Sequence, residues 1–138
     1  MTEARRSAAK EIVYACVRVV AAWVFLQHGA QKFGMFGGMG PDGGAVHFPS
    51  LMGWAAVIEL GGGTLILLGL FTRVAAFIAS GEMAVAFFKA HFPNHGIFTI
   101  LNHGESAALL SLLFLYFVLQ GPGPYSVDAL ISKARAKK

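Results

Sequence analysis

Three acids, Glu59, Glu82 and Glu105, and three basic groups, Arg18, His28 and Lys32, fall inside or at the rims of apolar stretches of this 138-residue chain. A carboxyl group can hold or pass a proton, an imidazole can do either near neutral pH, and a guanidinium or ammonium can neutralise a carboxylate or grip a ligand oxygen. In hydrocarbon each such charge costs at least about 2.5 to 3.5 kcal/mol, so these groups are expected to be paired, protonated or turned toward a polar cavity. Their types point to proton transfer and to hydrogen bonds to a small ligand. The elements that carry them must bring them together.

Hydrophobic residues make up 56% of the chain and charged residues only 13%, against roughly 25% charged in an average soluble domain. Soluble, disordered and fibrous classes are thereby disfavoured, and lipid is expected to cover the surface. Apolar stretches near residues 12–33, 51–71, 73–92 and 103–121 each approach the ~20 residues of a spanning helix. They predict an all-α fold, a four-helix integral membrane bundle forming a single domain over 1–138, with a polar C-terminal tail over 122–138. Arg5, Arg6, Lys10, Arg73, Lys133, Arg135, Lys137 and Lys138 fall on one side of such a bundle. Both termini are therefore expected in the cytoplasm, and the chain is expected to be multi-pass in the inner membrane. The same placement accounts for the net charge of +4 without nucleic acid. Arg18 interrupts the first apolar stretch and no small-x-small site follows it, so that stretch is read as a span and not as a cleaved signal peptide. The lone cysteine, Cys16, is read as a small buried hydrophobe.

The loops expected on the outer side are Gly34 to Ser50 and Pro93 to Asn102. With six glycines and two prolines, the first is expected to be a flexible lid or an ordered, turn-rich cap. No Lys-Ser/Thr follows its glycines, which argues against a phosphate loop. The second contains an apolar patch, Ile97 to Leu101, able to dip back as a short re-entrant turn.

At 100° per residue, Arg18, Ala21, Phe25, His28 and Lys32 share one stripe of the first helix. Ala55, Glu59, Gly62, Ile66 and Gly69 share a face of the second, where small residues permit close helix approach. Ala75, Ala79, Glu82, Ala86 and Lys89 line up on the third, and Asn102, Glu105, Leu109, Leu112 and Tyr116 on the fourth. At a rise of ~1.5 Å per residue, two layers emerge. Arg18, Glu59 and Glu82 are expected near the membrane middle as an Arg-carboxylate cluster, with His28, Lys32, Lys89 and Glu105 nearer the outer face. One arginine cannot neutralise two carboxylates, so one of Glu59 and Glu82 is expected to hold a proton at neutral pH. A cluster of this kind can equally serve to fix helix register. His28 lies on a charged stripe, whereas His91 and His103 point away from theirs. No HxxxH or HxxE spacing within a helix supports a metal site from the outer histidines and Glu105, and no metal is assigned.

Arg18…His28-Gly29…Lys32, then Glu59-x-x-Gly62-Gly63…Gly69…Thr72-Arg73, then Asn102-His103-Gly104-Glu105 and Gly121-Pro122-Gly123, follow one another in an order that resembles the DoxX family of small four-helix membrane proteins. The resemblance covers about residues 12 to 128. It implies membrane redox chemistry involving quinones, often as one subunit of a larger assembly, as in the membrane subunit of a thiosulfate:quinone oxidoreductase. No CxxCH haem motif, Rossmann glycine fingerprint or iron-sulfur cysteine cluster is present in the sequence, and no motif for a protein-bound flavin is seen, so a protein partner is expected to supply electrons.

Combining residues with resemblance, the expected site is an apolar outer-side pocket with a quinone as ligand. Arg18, His28, Lys32 and Asn102 would contact it, and Glu59, Glu82, Glu105 and His28 would handle protons. Two other readings stay open: a noncatalytic membrane anchor or assembly subunit for a partner enzyme, and a small-molecule or proton transporter. Small-residue faces could also serve a homo-oligomer.

Overall fold

In the computed structural model, which describes residues 2–137, every regular element among the described residues is helical. Four long helices dominate: α1 (Glu3–Lys32), α2 (Leu51–Leu68), α3 (Thr72–Ala86) and α6 (Glu105–Gln120). Shorter helices α4 (Phe92–His95) and α5 (Thr99–Asn102) lie between α3 and α6, and α7 (Val127–Arg135) ends the chain. The long helices pack in chain order, α1 on α2, α2 on α3 and α3 on α6, with α1 and α6 touching more lightly to close the ring.

Local chemistry sets the boundaries. Ser50 caps α2 by accepting a bond from the Gly53 amide at 3.0 Å, as an N-cap serine does. Gly69 ends that helix with φ +68, and the Gly69 and Leu70 amides donate to Ile66 and Leu65 carbonyls at 3.1 and 2.9 Å, the Schellman pattern. After α3 the chain widens into a π-turn over Phe87–His91. Pro93 lies just beyond it, and a proline ring crowds the carbonyl four residues earlier while offering no donor, which a wider turn relieves.

Small side chains let the helices approach closely. Ala22, Ala56, Ala76 and Ala79 are fully buried, and Phe25, Ile66, Phe114 and Phe117 fill the space between them. Phe25 and Phe114 meet edge to face with ring centroids 4.8 Å apart. Ser80 and Ser111 exchange hydroxyl-to-carbonyl bonds at 2.8 and 3.2 Å, tying α3 to α6.

The outside of the bundle is apolar on every long helix. Trp23, Val57, Phe77 and Leu112 stand out from α1, α2, α3 and α6, with Phe77 65% and Leu112 68% exposed. A soluble monomer rarely shows so continuous an apolar surface, whereas lipid accepts it. By length and composition α2 and the run Thr72–His95 are able to cross a membrane, while α6, at 16 residues, is a shorter apolar helix. Cys16 is exposed, which corrects its reading as a buried hydrophobe.

Other expectations are also revised. The first helix begins nine residues earlier than residue 12, at Glu3, and its start, Glu3–Val13, is exposed throughout. Within the C-terminal tail, 122–138, the helix α7 forms. The glycine-rich loop is the turn-rich cap of the two alternatives: it holds a 3-10 turn at Pro41–Gly43, Gly40 N donates to Gly44 O at 2.9 Å, and Val46 N donates to Lys32 O at 2.8 Å.

The fourth stripe was misphased. Leu109, Leu112 and Tyr116 are exposed, and α6 instead buries Ala107, Leu110, Phe114 and Phe117. Asn102 belongs to α5, and His103 follows it with φ +56. That left-handed residue resets the helical phase before α6 starts at Glu105.

Candidate functional site

Contacts between elements define two ends of the bundle. At one, the Tyr14 hydroxyl of α1 donates to Gly121 O after α6, so the first part of α1 and the end of α6 lie there; the interhelical loops Gly34 to Ser50 and Pro93 to Gly104 occupy the other. Polar groups gather at both.

In the loop half, Lys32 Nζ lies 2.8 Å from both Glu59 carboxylate oxygens. Glu59 is fully buried and Lys32 is 8% exposed. Gly29 makes this pairing possible. A Cβ added there would stand 2.9 Å from both Glu59 Cβ and Leu60 N, so only a glycine lets α1 and α2 come this close. The Lys32 side chain then reaches back along its own helix toward the carboxylate, the direction in which helical side chains tilt. Glu82 approaches from α3, within electrostatic range of both Glu59 and Lys32. Its Oε2 is buried and has no hydrogen-bond partner among the described residues. His28, half-buried, lies within reach of the Lys32 charge.

Arg18 is elsewhere. It is buried, yet Gly29, beside Glu59, lies eleven residues further along α1, about 16 Å. Its guanidinium donates to Pro122 O at 2.5 Å and Tyr125 O at 2.7 Å. The expected Arg18-Glu59-Glu82 cluster is therefore replaced by Lys32-Glu59-Glu82, and Arg18 is engaged with backbone carbonyls instead of facing a ligand at that site. Counting rise along each helix missed this because it ignored the length of the Lys32 side chain, which bridges the two expected layers.

Asn102 is likewise committed to the backbone. Its Nδ2 donates to Gly96 O at 2.7 Å and its Oδ1 accepts from Gly104 N at 2.8 Å, while its own carbonyl lies 2.9 Å from His91 Nδ1. It braces the loop in front of α6. Glu105 is half-buried and Lys89 exposed; among the described residues neither forms an ion pair with the cluster. No group of three or more His, Cys, Asp and Glu side chains among the described residues is arranged to hold a metal ion.

At the terminal end the chain is stapled. Arg73 donates to the Val118 and Leu119 carbonyls at the end of α6, the latter at 2.9 Å, where a cation also suits the helix dipole. Asp128 accepts bonds from Phe71 N at 3.0 Å and from Thr72 N and Oγ1 at 3.1 Å. It thereby caps the start of α3, for which Phe71 provides no side-chain acceptor. A cleft of about 680 Å³ opens at this same end between α1 and α6, opposite to the pocket expected beside Glu59 and Glu105.

A family model described as DoxX matches residues 13–92. The chain belongs to the DoxX family. A Haemophilus influenzae protein of uncharacterized role is 50% identical to this DoxX chain over 117 residues, 83% of this chain and 87% of the relative. An uncharacterized membrane protein of Mycobacterium tuberculosis is 36% identical, covering 86% of this chain and 80% of its own length. CatD of Bacillus subtilis, provisionally named an oxidoreductase, is 28% identical with 91% of each chain covered. No solved structure gives a significant match. The matched DoxX segment contains Arg18, His28, Lys32, Glu59 and Glu82 and stops short of Asn102 and Glu105. The resemblance motifs divide in space: Arg18, Gly69, Thr72, Arg73, Gly121 and Pro122 meet in the terminal staple, whereas Gly29, Lys32 and Glu59 meet in the buried pair.

Proposed function

We propose that this DoxX membrane protein spans the inner membrane with four helices, keeps both termini in the cytoplasm, and handles protons for quinone-linked redox chemistry driven by a partner. The observation that carries the reading is the composition of the buried cluster: one ammonium, Lys32, faces two carboxyl groups, Glu59 and Glu82. Ion pairing accounts for Glu59. Glu82 is left over, and charge balance in a low-dielectric interior favours a proton on it. Its buried Oε2, without a partner among the described residues, suits a hydrogen bond to a ligand carbonyl, so the residues fit a quinone at this one point.

A quinone supplies the two-electron, two-proton couple of such chemistry. The chain's own side chains bind and move protons: Glu82 holds one at Oε2, Lys32 pairs with Glu59, and His28 adjoins them as a further exchange group. Glu105 stands at the start of α6 as an entry acid on the loop side. Electrons come from a partner protein, in keeping with the oxidoreductase name of one relative. The exposed start of α1, Glu3–Val13, supports a second reading in which the protein anchors a partner enzyme without joining its chemistry.

A photoreactive quinone analogue applied to native membranes separates the two. Labelling of α3 peptides around Glu82, protected by unmodified quinone and lost in Glu82→Leu, which removes the donor, is expected. Infrared difference spectra should also lose a protonated-carboxyl band in that variant. Labelling that ignores both the competitor and the substitution overturns the redox reading and leaves the anchor.

A further inference from the structure

The cleft between α1 and α6 lies away from the Lys32-Glu59-Glu82 cluster and has been given no role above. Its volume, about 680 Å³, falls within the ~300–1,000 Å³ of ordinary ligand sites. The lining changes character along α1: Arg6 and Lys10 at one end, Val13 and Val17 at the other, with the rings of Tyr14 and Tyr116 beside the apolar part. From Arg6 to Val17 the helix rises about 16 Å. Within that length the cationic mouth gives way to an apolar trough, Val13 to Val17 rising about 6 Å, the outline of the headgroup and first part of an acyl chain of an anionic amphiphile. Glu11 is the acid in the lining and Glu3 shares the adjoining groove with Arg6 and Lys10, but among the described residues neither cation is held in an ion pair, so both are free to meet a phosphate.

Its position agrees. The apolar girdle of α1 runs through Val13, Val20 and Trp23, so immersing it in hydrocarbon sets Arg6 and Lys10 at headgroup depth and the two tyrosines at the interface. We infer that this cleft binds one anionic phospholipid, its phosphate on Arg6 and Lys10 and one acyl chain laid along Val13, Val17 and Tyr116. A helix from a second copy would fill an apolar trough but would not answer the paired cations at its mouth. The inference depends on the membrane placement and is independent of the redox reading.

The test is native mass spectrometry of the full chain released from nanodiscs holding equal phosphatidylglycerol and phosphatidylcholine. One phosphatidylglycerol should stay bound per chain in preference to phosphatidylcholine. Arg6→Gln with Lys10→Gln, both exposed positions whose loss leaves the fold intact, should weaken that preference about 30-fold. Val13→Trp, which fills the apolar end, should lower retention of both lipids while leaving the headgroup preference unchanged. Equal retention of the two lipids, or a preference that survives the double substitution, overturns the inference. Release of the lipid by inorganic phosphate would reassign the mouth to a free anion. A lipid-free dimer dissociated by Val13→Trp would assign the trough to a second copy.

Discussion

Lys32 and Glu59 are held in a buried contact, with Lys32 Nζ 2.8 Å from both carboxylate oxygens, and removing one partner strands the other. Glu59→Gln is expected to destabilise the protein by about 3–5 kcal/mol, and Lys32→Met with Glu59→Met to recover most of that loss, because the cost lies in the unpaired charge. Unfolding by denaturing detergent in mixed micelles measures both. At the terminal end, partial desolvation pushes the Asp128 carboxyl up, but bonds from the Thr72 and Phe71 amides and the Thr72 hydroxyl, with the Arg18 charge, outweigh it and hold Asp128 below the usual carboxylate range. The folded value being the lower one, its stabilisation is complete above the unfolded value of about 3.9 and fades as pH falls through the folded value. Thermal melts across that window should show the wild type losing more stability on acidification than Asp128→Asn, which keeps an acceptor and does not titrate.

At the scale of elements, close approach and phase dominate. Gly29→Ala would drive a methyl against the Leu60 backbone and is expected to cost about 1–3 kcal/mol. His103 carries φ +56, a conformation that disfavours a side chain by about 1–2 kcal/mol. His103→Gly should therefore raise stability by about 1 kcal/mol, read as a higher melting temperature in detergent; no gain would mean that the imidazole makes a compensating contact. The faces of α1, α2 and α3 could be read from the sequence as far as each runs uninterrupted; Lys89, expected on the third stripe, lies in the π-turn beyond α3 and is exposed. The face of α6 could not be read, since one left-handed residue shifts the phase without any mark in the hydrophobic pattern.

Across the whole molecule, the staple joins segments more than fifty residues apart: Arg18 to Pro122 and Tyr125, Thr72 to Asp128. Arg18→Met removes the donors to those carbonyls and is expected to loosen α7. Faster tryptic cleavage at Lys133 and Arg135 in intact membranes would register this, and an unchanged rate would show that Asp128 alone keeps α7 docked. Composition, apolar periodicity and the gathering of basic residues near the termini were enough to determine an all-helical membrane protein and the inward faces of its first three helices, because these depend on solvent preference and on a fixed rise and turn per residue. Which charge meets which was decided only by the tertiary structure. Lys32 and not Arg18 answers Glu59, and Arg18 serves backbone carbonyls, because pairing depends on side-chain reach, on the helix separation permitted at Gly29, and on where a distant segment folds back.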